Sequence, residues 1–359
     1  MTARTEIEIE TEIEMDTMAA ILDQYPLQKP YLFEEGLGGM NNTTRILMSG
    51  GERFVLRIYN NHADAAVVKL EHELLHQLAA QGSIGLAVPE PVVNSRGETV
   101  TRGPQGKLAS LCRYLPGERP IPANEAHILG LGEAAGKLTN ALAAVTPDSE
   151  PIYLPYYEWE QTYAELTPVV LQALTESMPE SAQVDELRLQ IDLLLKERME
   201  LSARYESMCA LPQQWIHGDL NFTNSLAQGD AITALLDFEF CTRDMRAMEL
   251  AVVLVDLLQP DVEESLRKIG LFCRGYGRHV RLTPEEQSIL PVLMKLRMVD
   301  VSHHFMLRYR EGLDPADVWT EQVKRAAYVC GWVNDVEHRL LTALNNSLIP
   351  EGAGTHELS

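Results

Sequence analysis

Trp215-Ile216-His217-Gly218-Asp219-Leu220-Asn221-Phe222-Thr223-Asn224, followed by Ala234-Leu235-Leu236-Asp237-Phe238-Glu239, is the stretch from which the rest of the 359-residue chain can be read. It sets an aspartate, then an asparagine five positions on, then a second aspartate at the end of an apolar run. Asp and Asn are common in turns, where their side chains bond nearby backbone groups, so a lone D-x-x-x-x-N carries little. Here His217, Leu220 and the later D-F-E add up to a specific order. Phosphoryl transfer needs a carboxylate to orient a hydroxyl and take its proton, and oxygen ligands to hold Mg²⁺ against a triphosphate. Asp219 suits the first task; Asn224 and Asp237 suit the second. Trp215-Ile216 and the run from Ile232 to Leu236 read as buried strand segments that fix these polar groups on rigid backbone.

The order H-x-D-L-x-x-x-N followed by D-F-x is that of kinase catalytic loops. The string resembles the aminoglycoside phosphotransferase and choline kinase superfamily of small-molecule kinases. His217, Gly218, Asp219 and Asn224 match its H-G-D-x-x-x-x-N, and Asp237 with Glu239 matches its downstream D-x-D or D-x-E. Asn221 departs from it, since many members carry His there. The resemblance implies an α+β, bilobal protein-kinase-like fold, with a small N-terminal antiparallel-sheet lobe and a larger, mainly helical C-terminal lobe. It also implies ATP as co-substrate, Mg²⁺ as cofactor and a small-molecule hydroxyl as acceptor.

Composition narrows the partners. Fifty-two acidic residues against 30 basic ones give a formal charge of −22, whereas a nucleic-acid partner calls for a basic stripe. Most of that charge reads as solvated surface; around a cleft it would draw in a cationic or amine-bearing acceptor. Cys112, Cys209, Cys241, Cys273 and Cys330 are scattered and form no C-x-x-C, as expected of thiols in a reducing compartment. The acidic N-terminus lacks the apolar core of a signal peptide. The longest apolar run, near Ala247 to Leu258, is interrupted by Glu249 and Asp256 and is too short to span a bilayer. The expectation is a cytoplasmic protein without a membrane partner. Its divisions are an acidic tail over 1–16, an N-lobe over 17–114, a C-lobe over 115–345 and a disordered tail over 346–359.

Taken in order, the chain supplies further kinase parts. A short helix is expected near Met15 to Tyr25. Gly36, Gly38 and Gly39, with Asn41 or Asn42, make a glycine-rich turn whose amides could approach phosphate oxygens. Asn41 stands where a third glycine would complete G-x-G-x-x-G, so a plain hairpin turn competes. The turn is similar to the superfamily's Gly-Gly-x-x-Asn. Phe54-Val55-Leu56-Arg57-Ile58 reads as a strand, with Arg57 where kinases carry a lysine; a surface arginine is the alternative. Its planar fork grips phosphate or carboxylate bidentately. Val67, Leu74, Leu75 and Leu78 mark the apolar face of a helix over 65–81, and Glu71 lies within that face. Burying a carboxylate unpaired is costly. Arg57 is its natural partner, with Glu73 the second choice for the ion pair. Gly82 is placed to end this helix.

Val88 to about Leu111 reads as two or three strands. They lead through Leu115-Pro116-Gly117 to a hinge whose backbone would bond adenine. Beyond it, helices are expected over 126–145, 158–177, 184–208, 262–276, 284–309 and 315–345. Tyr153, Tyr156, Tyr157 and Trp159 are either an ammonium cage or lobe packing. Asp244 is placed to N-cap a helix. The superfamily has D-P-x-x-D-L-A there, with Glu249 at the second Asp, which implies a tie to the catalytic loop. His217 reads as a scaffold for that loop.

For the acceptor, Val88-Pro89-Glu90-Pro91, Gly97-Glu98, Gly106-Lys107, Leu115-Pro116-Gly117 and Phe238-Glu239-Phe240-Cys241-Thr242 are similar to the type II homoserine kinase branch. Homoserine or a related amino alcohol is therefore implied. A choline, ethanolamine or aminoglycoside phosphotransferase, or a non-catalytic nucleotide-binding member of the fold, is the alternative. Glu239, Asp244 and Asp256 are the acidic groups open to an ammonium. A protein kinase fits less well, because the short gap between Asp237 and Glu249 holds no A-P-E.

Overall fold

The computed structural model describes residues 15–34, 42–59, 64–82, 84–176 and 182–348. Gly36, Gly38, Gly39 and Asn41, and most of both terminal tails, lie outside the described residues. The chain forms two units. The first comprises Met1–Gly117, Val145–Ile152 and Thr233–Glu239; the second comprises Glu118–Ala144, Tyr153–Ile232 and Phe240–Ser359.

The first unit is built on an antiparallel sheet of five strands, in the order β1-β2-β3-β5-β4. The strands are β1 (Leu32–Phe33), β2 (Asn42–Ser49), β3 (Glu52–Tyr59), β4 (Val100–Arg102) and β5 (Leu108–Arg113). Alternation along β3 sends Phe54, Leu56 and Ile58 to one face, where they cluster with Met18, Ile21 and Leu22 of helix α1 (residues 15–22). Arg57 and Tyr59 take the opposite parity, and Tyr59 packs with Val68 of α2 (Ala65–Gln81). Asp64 caps the start of α2 by accepting from the Ala66 amide at 2.9 Å, and Gly82 ends it in the left-handed conformation.

Of the two or three strands expected between Val88 and about Leu111, two form, β4 and β5. Val88 to Val93 makes only an isolated bridge, Pro91 to Cys112, because Pro89 and Pro91 bring no N–H to a ladder.

The second unit is mainly helical: α3 (Glu125–Leu142), α4 (Trp159–Thr162), α5 (Pro168–Glu176), α6 (Ala182–Ala203), α7 (Tyr205–Cys209), α8 (Arg246–Leu254), α9 (Val262–Gly277), α10 (Pro284–Arg310) and α11 (Ala316–Ser347). Helix α3 packs on α9 so closely that a Cβ on Gly132 would overlap the Phe272 carbonyl oxygen, and one on Gly275 the Leu129 carbonyl oxygen. Helix α10 starts with a capping box, in which Thr283 and Glu286 each accept from the other's backbone N–H. Glu286 also takes Arg246 of α8 through two bonds of 2.7 Å, which pins α10 to α8.

Two sequence expectations give way in this unit. The helix expected over 158–177 is broken into a 3₁₀ turn at Tyr156–Glu158, α4 and α5, with Pro168 opening the last. Asp244 is not an N-cap. It lies in β7 (Thr242–Met245), which pairs antiparallel with β6 (Gln213–Ile216), and Met245 occupies the cap position of α8. Among the described residues, no helix is long and apolar enough to cross a membrane. None of the five cysteines is disulfide-bonded.

Candidate active site

In the first unit an arginine collects three carboxylates. Arg57 Nη1 lies 3.3 Å from Glu71 Oε1, its Nη2 donates to Asp237 Oδ1, and Glu239 Oε2 stands 3.9 Å away. The inward carboxylate expected on α2 thus meets the strand arginine. Glu73 is occupied elsewhere, accepting from the Ser149 hydroxyl at 2.8 Å and its amide at 3.1 Å. Asn42 donates to Glu239 Oε2 at 2.9 Å, and both are buried. Glu239 is therefore a member of this cluster. Burial pushes the Glu71 carboxyl up to about 7; Arg57 opposes the rise, and the charges of Asp237 and Glu239 add to it.

One guanidinium among three carboxylates leaves room for added positive charge. Asp237 is held at φ 67°, the sole non-glycine residue with positive φ among the described residues. Buried Phe238, next in the chain, anchors it. Asp tolerates that region better than most residues, and strain of this kind gathers at functional sites.

In the second unit β6 runs into the loop that carries Asp219. Gly218 has φ 77°, and a Cβ there would come within 2.9 Å of the Phe240 carbonyl oxygen. The H-G-D spacing thus needs glycine for backbone reasons. Gly218→Ala is expected to cost about 1–2 kcal/mol from conformation alone, more with the crowding, read as a lower melting temperature together with lower activity.

Leu220 and Phe222 are buried and fasten the loop, while Asp219 stays at its edge. Asn221 accepts from the amides of Thr223 and Asn224 at 2.8 and 2.9 Å and shapes the 3₁₀ turn that sets Asn224. Asn224 Nδ2 donates to Asp219 Oδ2 and to its carbonyl oxygen, both at 2.9 Å. With the amide nitrogen so used, the Asn224 amide oxygen is its acceptor atom, a hard ligand of the kind Mg²⁺ takes.

His217 is buried, and its Nδ1 accepts from the Asp219 amide at 3.2 Å. Its own amide donates to Glu249 Oε2 at 2.6 Å, tying α8 to the loop. Burial pushes the Glu249 carboxyl up, against the pull of His217. Asp244 is fully buried and accepts from the backbone N–H groups of Tyr156 and Met245. Asp256 pairs with Arg325.

Sequence reasoning did not single out Arg297, whose Nη2 lies 2.5 Å from Asp219 Oδ1. Its Nη1 donates at 2.6 Å to the hydroxyl of Tyr156, which donates in turn to the Gly218 carbonyl at 2.7 Å. The available signal was a pair of charges, Arg297 and Asp300, spaced one turn apart within the apolar run from Leu296 to Val301.

The sequence profile of the phosphotransferase enzyme family, APH, matches residues 33–282, well over half of the chain. The chain belongs to that family. This APH-family phosphotransferase is similar to the homoserine kinase of Afipia carboxidovorans, 28% identical over 287 residues, covering 79% of this chain and 82% of that protein. The homoserine kinase of Bradyrhizobium diazoefficiens is 25% identical over 79% of this chain and 82% of its own length. Among solved structures, an amicoumacin kinase in complex with AMP-PNP and Ca²⁺ superposes with a TM-score of 0.63 at 17% identity, covering 96% of this chain and 98% of that one. The likeness confirms the kinase-like fold, and the family makes the protein a phosphotransferase acting on a hydroxyl acceptor.

Proposed function

We propose that the protein transfers the γ-phosphoryl group of ATP to the side-chain hydroxyl of homoserine. The observation that carries this reading is the match to homoserine kinases along 79% of the chain, a span long enough to include both units. Asp219 takes the proton of the acceptor hydroxyl as its oxygen forms a bond to the γ-phosphorus. The bond from that phosphorus to the β–γ bridging oxygen breaks, and ADP leaves. Asn224 fixes the Asp219 carboxylate from one side by the 2.9 Å bond, so the base is already oriented when the hydroxyl arrives.

Asn224 and Asp237 would hold Mg²⁺, which neutralises charge developing on the phosphate oxygens. Arg57, set by Glu71, would bind phosphate oxygens. Glu71→Gln is expected to lower turnover by about tenfold, through the loss of a charge-assisted bond that aims Arg57. Wild-type turnover in that variant would remove Glu71 from the site.

The reading is tested by Mg²⁺-dependent ADP formation with homoserine, choline, ethanolamine, other hydroxy-amines and aminoglycosides, beside Asp219→Ala. ADP that forms with homoserine and requires Asp219 supports it. Turnover with another acceptor of the panel and none with homoserine would sink the substrate assignment and leave the family intact.

A further inference from the structure

The second unit holds a cation that the proposed phosphoryl transfer leaves without a task, and the role assigned to it here rests on the homoserine kinase reading. Arg297 sits midway along α10 with only 16% of its side chain exposed. Its fixed partners explain part of its placement. Tyr156 accepts from Nη1, and the Tyr156 ring centroid lies 5.8 Å from the guanidinium carbon. Its other bonded partner is Asp219, the base itself.

That pairing occupies one oxygen of the carboxylate that the acceptor hydroxyl must approach. The nearby acids do not relieve it. Asp300, one turn on, accepts from the Tyr163 hydroxyl at 2.8 Å, and Asp256 is taken by Arg325. An acceptor with an anionic group would relieve it. A carboxylate matches the planar fork of arginine through two parallel bonds, and would let the guanidinium exchange Asp219 for the substrate. In homoserine the hydroxyl and carboxylate end the same short carbon chain, so a molecule with its hydroxyl at Asp219 brings its carboxylate to the adjoining guanidinium.

We infer that Arg297 is the carboxylate-binding residue of the acceptor site, and that it selects hydroxy amino acids over amino alcohols lacking a carboxylate. Asp256 and Asp300 flank it with negative charge and favour a zwitterion, because the ammonium gains what a simple anion would lose.

The test uses the full chain with Mg²⁺ and AMP-PNP. Calorimetry compares L-homoserine with 3-aminopropan-1-ol, which keeps the same hydroxyl, amine and chain and lacks only the carboxylate. Wild type is expected to bind homoserine about 30-fold more tightly, a difference of about 2 kcal/mol. Arg297→Met should erase that preference. Arg297→Lys, which keeps the charge and serves if the methionine variant does not fold, should retain a reduced one. Loss of the Asp219 contact is common to both ligands and cancels in the ratio.

Equal affinity of wild type for the two ligands, or no binding of homoserine, overturns the inference. So does an undiminished preference in either variant, or a parallel loss of both ligands at constant ratio; the parallel loss would make Arg297 a positioning residue for Asp219. The homoserine kinase reading fails differently, if homoserine binds in an Arg297-dependent way and no ADP forms from ATP.

Discussion

Asp219→Ala is expected to lower turnover by about a thousandfold or more, the scale of a lost general base, while MgATP binds almost as in wild type. The expectation comes from where Asp219 stands. Its carboxylate is in the second unit, on the loop that follows β6, and its partners there are Asn224 and Arg297. The carboxylates gathered around Arg57 have Arg57 and Asn42 as partners. Truncation therefore removes the proposed proton acceptor and keeps the Arg57 cluster's own partners in place. The check is a pair of measurements, single-turnover phosphoryl transfer and calorimetric MgATP affinity. Loss of both would mean that Asp219 supports folding or metal binding. A melting curve decides which.

Asp237→Asn is expected to do the reverse, weakening metal-dependent nucleotide binding by about a hundredfold, as loss of a carboxylate ligand and its charge would, and raising the Mg²⁺ concentration needed for activity. Asparagine is the informative replacement. It accepts the left-handed conformation nearly as well as aspartate, so the backbone at φ 67° keeps its shape while the charge is removed. Alanine would mix a conformational penalty of about 1–2 kcal/mol into the result. Calorimetric titration of ATP at several Mg²⁺ concentrations measures the effect. Nucleotide affinity that is unchanged at every Mg²⁺ concentration would take Asp237 out of the metal site.

Much of the site was legible because its parts are local in sequence. The turn from His217 to Asn224 is built by its own residues: glycine supplies the positive φ, Asn221 the turn bonds, and Leu220 and Phe222 the anchors. Such motifs read well one residue at a time. The Arg57–Glu71 pair was legible for another reason, since a carboxylate on an apolar helix face demands a partner wherever that partner lies in the chain.

Arg297 offered neither handle. It reaches Asp219 across a long separation in sequence, and its helix is buried on several sides, so no single polar face marks it. Asp244 failed in a third way. Its residue type favours a cap, but pairing of Thr242–Met245 with Gln213–Ile216 drew it into a strand and buried it. Proline limits two segments, and only the single helix expected over 158–177 gives way, while two strands do form between Val88 and Leu111. Pro89 and Pro91 deny ladder bonds, and Pro168 restarts a helix.

The backbone contact of α3 with α9 bears on how any collection of inactive variants should be interpreted. Gly132 and Gly275 have no space for a single methyl group, and the atoms in the way are main-chain carbonyls that cannot swing aside as side chains do. A random screen for loss of activity would therefore recover substitutions at these glycines as readily as at Asp219. Inactivity by itself would carry no information about role in this protein. Only variants that still melt cooperatively at the wild-type temperature can be sorted into those that lose the nucleotide, those that lose the acceptor and those that bind both and do nothing.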